Sequence, residues 1–140
     1  MKNWERAEAK IARGIGGKRS PGSGNGSIEG DVKNKILCVE CKETSKEFMV
    51  LHINWFVKIV DESTRNNRIP VLAVEFGNGT QIYFIREKDY TEEINVTYDW
   101  TNRSTIRIYP NDLLTFRKVA TNYGSWIIVD MEYLKDLSKE

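Results

Sequence analysis

Three observations predict an α/β fold with a mixed central sheet flanked by helices. IPVLAVEF, residues 69–76, is a short apolar run typical of a strand covered on both faces. It follows a strand pattern at 36–43 and a stretch of helical periodicity, the order in which a parallel βαβ unit is built. The GNG at 77–79 then makes a tight turn into a further strand, QIYFI at 81–85. At 140 residues the chain has length for one hydrophobic core, so a single domain over 1–140 is expected.

Each element has its own signal. From Trp4 to Ile15 the pattern is helical: at about 100° per residue, Trp4, Ala7, Ile11, Ala12 and Ile15 share one arc. Arg6, Lys10 and Arg13 occupy the opposite face, and Glu5 lies at the margin. Glu8 falls in the middle of the apolar arc. An acid there costs stability unless it is paired, hydrogen-bonded or bound to a metal; its plainest use is at the edge of the fold, reaching water or capping a neighbour. Residues 14–30, GIGGKRSPGSGNGSIEG, read as a loop. Gly17-Lys18-Arg19 does not complete a phosphate-binding P-loop, which needs Ser or Thr after the Lys and a Gly where this chain has Ala12. A strand ending at about Val32, a turn around Lys33–Lys35 and a strand Ile36–Glu43 form a hairpin. Strand alternation puts Cys38, Glu40 and Lys42 on one face and Leu37, Val39 and Cys41 on the other. Phe48, Leu51, Trp55, Ile59 and Val60 recur at helical spacing, predicting an amphipathic helix from Phe48 to about Glu62. Beyond Arg86 the pattern predicts short strands at 104–109 and 126–130 and a helix from about Met131. No internal repeat is present.

Composition narrows the function classes. With 40% hydrophobic and 29% charged residues the chain is an ordinary folded protein. The net charge is +1, yet Lys2, Arg6, Lys10, Arg13, Lys18 and Arg19 make the N-terminal end basic against only Glu5 and Glu8. That bias suits a polyanion, although a solvated basic helix face is its commoner cause. No apolar run reaches the length of a membrane span and the first residues lack a signal-peptide core, so a cytoplasmic protein is expected. Cys38 and Cys41 form a C-x-x-C. A zinc site needs two further ligands where the chain offers only His52, and a redox pair belongs at a helix start rather than within a strand, so both read as small strand residues. His52 reads as a helical residue without convergent ligands. Trp4, Trp55, Trp100 and Trp126 read as core or interface anchors, with Trp100, flanked by polar residues, open to another use.

The chemistry lies in Glu40-Cys41-Lys42 and in Asp31 on the neighbouring strand. Two carboxylates projecting from adjacent strands can hold a hard divalent ion such as Mg²⁺, which prefers oxygen ligands. Lys42, on the Glu40 face, would lie near the attacking water or a scissile phosphate, and Glu8 would supply a further ligand or orient that water. These are the elements of metal-assisted phosphodiester hydrolysis. Taken singly, an E-x-K in a strand is most often a cross-strand salt bridge and an Asp before a hairpin is most often turn chemistry. Their ordered combination is what points to a nuclease.

That order is W-x-x-x-E-x-x-I-A at Trp4–Ala12, GGKR at 16–19, SGNG at 23–26, GDV at 30–32, VECK at 39–42 and IPVLAVEF at 69–76. The chain thereby resembles the PD-(D/E)xK nuclease superfamily and, within it, the archaeal-type Holliday junction resolvases and their phage relatives, over about the first 85 residues. The resemblance implies a restriction-endonuclease-like core at 1–86 and a C-terminal extension at 87–140, which could add strands, dimer surface or a junction contact. It implies catalytic roles for Glu8, Asp31, Glu40 and Lys42. It also implies Mg²⁺, with Mn²⁺ as a substitute, on Asp31, Glu40, the backbone carbonyl of Cys41 and Glu8. Lys18, Arg19, Ser20 and Ser23 would lie at the DNA, Arg19 on a phosphate. The whole would be a homodimer that nicks two strands of a four-way junction, in the host cytoplasm if phage-encoded. Two other readings stand beside it: a related nuclease acting on linear duplex, flaps or single strands, and a non-catalytic nucleic-acid-binding module in which Asp31, Glu40 and Lys42 form a salt-bridge network.

Overall fold

The computed structural model describes residues 3–20, 31–94 and 96–139. Helix α1, Asn3–Ile15, buries Ala7, Glu8, Ile11 and Ile15, the arc that the wheel predicts. It stops at Gly16, whose φ of 64° is left-handed, and the Gly17 N–H returns to the Ala12 carbonyl at 2.8 Å. The expected loop then differs from the structure: Lys18–Arg19 is a two-residue strand, β1, paired antiparallel with β2, Val32–Lys33. Gly17 makes the approach possible, because a Cβ there would stand 2.7 Å from the Lys33 carbonyl oxygen. The SGNG motif, with Ser23, lies outside the described residues.

Strand β3, Leu37–Glu43, closes the hairpin with Val39 opposite Val32 and Cys38 opposite Lys33. Asn34 holds the turn. Its Oδ1 accepts the Ile36 and Leu37 N–H groups at 2.8 and 2.7 Å, while its amide donates to the Ile15 carbonyl and the Ser138 hydroxyl, each at 3.0 Å.

The helix expected from Phe48 begins later. Met49–His52 is a strand, β4, with Met49 and Leu51 buried and Val50 and His52 exposed, and helix α2 runs Ile53–Arg65. Period-2 burial decides this stretch because β4 finds a distant partner, β8 at Thr105–Ile108, with Leu51 opposite Ile106. His52 is accordingly the last residue of a strand and an exposed helix cap, not a helical residue.

The crossover through α2 delivers β5, Ile69–Glu75, parallel to β3, with Glu40 level with Leu72. The turn at 77–79 returns β6, Gln81–Arg86, antiparallel to β5. The remaining strands extend the same sheet: β7 at Thr97–Asp99, β9 at Lys118–Thr121 and β10 at Gly124–Val129, ahead of helix α3 at Met131–Leu137. The strand order is β1-β2-β3-β5-β6-β10-β9-β7, mostly antiparallel, with β4-β8 as a separate pair. One face carries α1 and α3 over Val32, Leu37, Val39, Val71, Ile85 and Ile127. The other carries α2 and the β4-β8 pair over Cys38, Leu72, Phe84, Trp126 and Ile128. This is the mixed sheet between helices that the sequence predicts.

Trp100 is fully buried and packs edge-on against Phe56 with ring centroids 5.6 Å apart, so it is a core anchor and is closed to stacking on a base. Cys38 and Cys41 are free and, three residues apart on one strand, point to opposite faces of the sheet. Among the described residues, no helix is long and apolar enough to cross a membrane.

Candidate active site

The site forms where the β2-β3 ladder runs out. Its last rung among the described residues is the Asp31 N–H donating to the Val39 carbonyl at 2.9 Å. One step further the Cys41 N–H faces the β2 side, and the Asp31 carboxylate takes it, Oδ2 to N at 2.8 Å. The alternation that turns the Leu37 and Val39 carbonyls toward β2 turns the Cys41 carbonyl to that same edge. Asp31 is thus placed by that backbone donor, and its carboxyl meets that of Glu40, which faces the same side of the sheet and hydrogen-bonds it.

Glu40 is 4% exposed. Burial, and after it the adjoining Asp31 carboxyl, pushes Glu40 up to about 8, so the pair holds a proton at neutral pH. Its Oε2 is buried with no hydrogen-bond partner among the described residues, the nearest cation being the Lys58 Nζ at 3.6 Å. That amine stands equally 3.6 Å from Glu62 on the next turn of α2. Glu62 is itself buried, and burial raises its carboxyl. Lys42, on the Glu40 face, lays its Nζ over the Trp55 ring at 4.8 Å from the centroid, and Trp55 in turn packs on His52 at 4.9 Å.

Glu8 occupies the other face of β3, under α1. Arg19 holds it, Nε to Oε1 at 3.0 Å, and stacks its guanidinium over Trp4 at 5.7 Å. Glu8, Asp31 and Glu40 all surround Cys41, whose thiol burial and then these three carboxylates push well up. Even so, no three His, Cys, Asp or Glu side chains among the described residues are gathered into a ready metal cage. The structure brings together Asp31, Glu40 and Cys41, sets Lys42 beside them, and leaves Glu8 on Arg19 across the strand. Lys18 is exposed on β1, and Ser20 is buried with its N–H on the Asp31 carbonyl at 2.9 Å and no hydroxyl partner among the described residues. Ser23 lies outside the described residues.

Sequence reasoning missed Trp55, Lys58 and Glu62 as parts of this site. On α2 they share the flank that faces Lys42 and Glu40. At about 100° per residue Glu62 falls on the arc of Trp55 and Ile59 and is buried there, the same signal that singled out Glu8.

No family model matches the chain, and no curated protein sequence matches it. Among solved structures it is similar to Hjc, a Holliday junction resolvase from the archaeal hyperthermophile Archaeoglobus fulgidus. The TM-score is 0.50, over 77% of this chain and 84% of that one, at 11% identity. The likeness is one of fold: this chain has the nuclease-like architecture of that protein.

Proposed function

We propose that this chain is a metal-dependent, structure-selective DNA endonuclease that resolves four-way junctions as a homodimer. The observation that carries the reading is the meeting of Asp31 and Glu40 at the end of the β2-β3 ladder, with the Cys41 carbonyl turned to the same edge and Lys42 next along the Glu40 face. The likeness in fold to a Holliday junction resolvase supports it.

The donor set fits a hard divalent ion. It is all oxygen, it includes a buried carboxylate oxygen without a hydrogen-bond partner among the described residues, and the proton between the two carboxyls stands in for a cation's charge. Asp31, Glu40 and the Cys41 carbonyl would hold Mg²⁺, or Mn²⁺ in its place. When bound, such an ion would polarise the scissile phosphodiester and favour deprotonation of the attacking water. Lys42 would leave the Trp55 face to stabilise the charge that develops on the phosphate. Arg19 would exchange Glu8 for a backbone phosphate, which releases Glu8 to orient the water or add a ligand, so that arrival of DNA completes the site. Lys18, Ser20 and Ser23 extend the contact along the same segment.

Cleavage of a labelled four-way junction beside a linear duplex of the same sequence, with Mg²⁺ and with chelator, tests the reading. Paired, symmetric, Mg²⁺-dependent nicks in the junction alone are expected. Equal cutting of both DNAs would keep the metal site and make the enzyme a general nuclease. Binding without cutting in either would reduce it to a nucleic-acid-binding module.

A further inference from the structure

We infer that the basic depression at the turn of the β2-β3 hairpin is a second DNA-backbone contact, which holds the strand leaving the cleavage site within a few phosphates of the scissile bond. The inference rests on the nuclease reading above and extends it to Lys33, Lys35 and Arg68, which no motif singled out.

The depression has a volume of about 450 Å³ and its rim carries Lys18, Lys33, Lys35 and Arg68, with Asn34 and Ser138 between them. No carboxylate is among the described residues that line it. Cations from three separate segments meet on this one rim, an arrangement that suits a polyanion. A simpler cause would be the carbonyl end of α1, which attracts cations. That end is already served, however: the Ala12 carbonyl accepts from Gly17 and the Ile15 carbonyl from Asn34. Arg68 is not directed at it, since its guanidinium is anchored by Nε to the Asn34 carbonyl at 2.6 Å and Nη1 to the Asn66 carbonyl at 3.2 Å. The anchoring fixes the planar group at the rim at little further entropic cost.

Register places the depression on the path of the substrate. Asp31 and Lys33 stand two residues apart and so share a face, and Lys18 lies directly across from Lys33. Two strand residues span about 7 Å, the order of the step between neighbouring phosphates of one DNA strand. Lys33 and Lys18 therefore begin a row of cations at the next phosphate after the Asp31-Glu40 pair, and Lys35 and Arg68 continue it around the turn.

Counterion release provides the test, because each phosphate neutralised contributes about 0.9 to the slope of log affinity against log salt on duplex DNA. Binding to a labelled four-way junction would be measured by salt titration in the Asp31→Asn background, without cleavage. Lys33→Gln/Lys35→Gln should weaken binding by about tenfold at about 0.1 M salt and make the slope shallower by about two. Lys35→Gln alone, at an exposed position, should change it by about one, and thermal melting checks that both variants fold. Lys88→Gln/Lys135→Gln removes the same charge elsewhere and should leave the slope unchanged. A tract variant with the parental slope, or one matched by the remote variant, overturns the inference and leaves the nuclease reading standing. Failure of the parent to bind DNA at all overturns both.

Discussion

Glu40 sets the pH behaviour of the molecule at the scale of one residue. The folded chain keeps its proton up to about 8, whereas the unfolded chain loses it in the ordinary carboxylate range. The folded state therefore binds more protons between those limits, and stability should fall as pH rises through that window, by at most about 5 kcal/mol in all. A divalent ion replaces the proton, so apparent Mg²⁺ affinity should rise about tenfold per pH unit and level off above about pH 8. In melting experiments with chelator, Tm should drop between about pH 6 and about pH 8, and Mg²⁺ should restore more of it at the higher pH. A flat profile in both would remove the Asp31-Glu40 pair as the ion's ligands. Asp31→Asn should abolish cleavage yet keep the fold, since the amide oxygen still accepts the Cys41 N–H; Asp31→Ala orphans that donor and should cost about 1–3 kcal/mol. Lys42→Ala should also abolish cleavage, and Glu8→Gln should impair it where Glu5→Gln should not. The approach of Asp31 to Glu40 was legible because the two lie on neighbouring strands of one hairpin, whose register the structure supplies. The hold of Arg19 on Glu8 was not, because it depends on β1 pairing with β2.

Among the elements, β4 separates local periodicity from tertiary pairing. Its sequence fits a helix, and only the ladder with β8 makes it a strand, so substitution should follow a period of two. Leu51→Ala should cost about 2–5 kcal/mol in denaturant unfolding, while Val50→Ala should stay within about 0.5 kcal/mol. Equal costs at both positions would argue for the helix. Gly17 provides a second element-scale test. A Cβ there meets the Lys33 carbonyl, and only a backbone shift relieves it, so Gly17→Ala should part β1 from β2, withdraw Arg19 from Glu8 and lower Tm by several degrees.

For the whole molecule, β10 matters as much as the motif-bearing half. It covers the edge of β6 through Ile127–Ile85 and Ile128–Phe84, and Trp126 closes on Phe56 with ring centroids 4.7 Å apart. A chain ending at Arg86 loses those contacts and leaves a long apolar edge, so it should aggregate or fail to show a cooperative melt. The sequence by itself determined α1 and its buried Glu8, the β2-β3 hairpin, the parallel strand at 69–75 and its antiparallel return, because each is written in short-range periodicity or turn chemistry. It also determined that Glu40 and Lys42 share a face, since alternation along a strand needs no partner to be known. Tertiary structure alone decided that 49–52 is a strand, that Trp100 belongs to the core, that the C-terminal strands complete the main sheet, and that Lys58 and Glu62 stand at the Glu40 carboxylate. Each of these depends on a partner far away in the chain, and sequence periodicity does not record which partner an apolar face or an unpaired backbone edge will find.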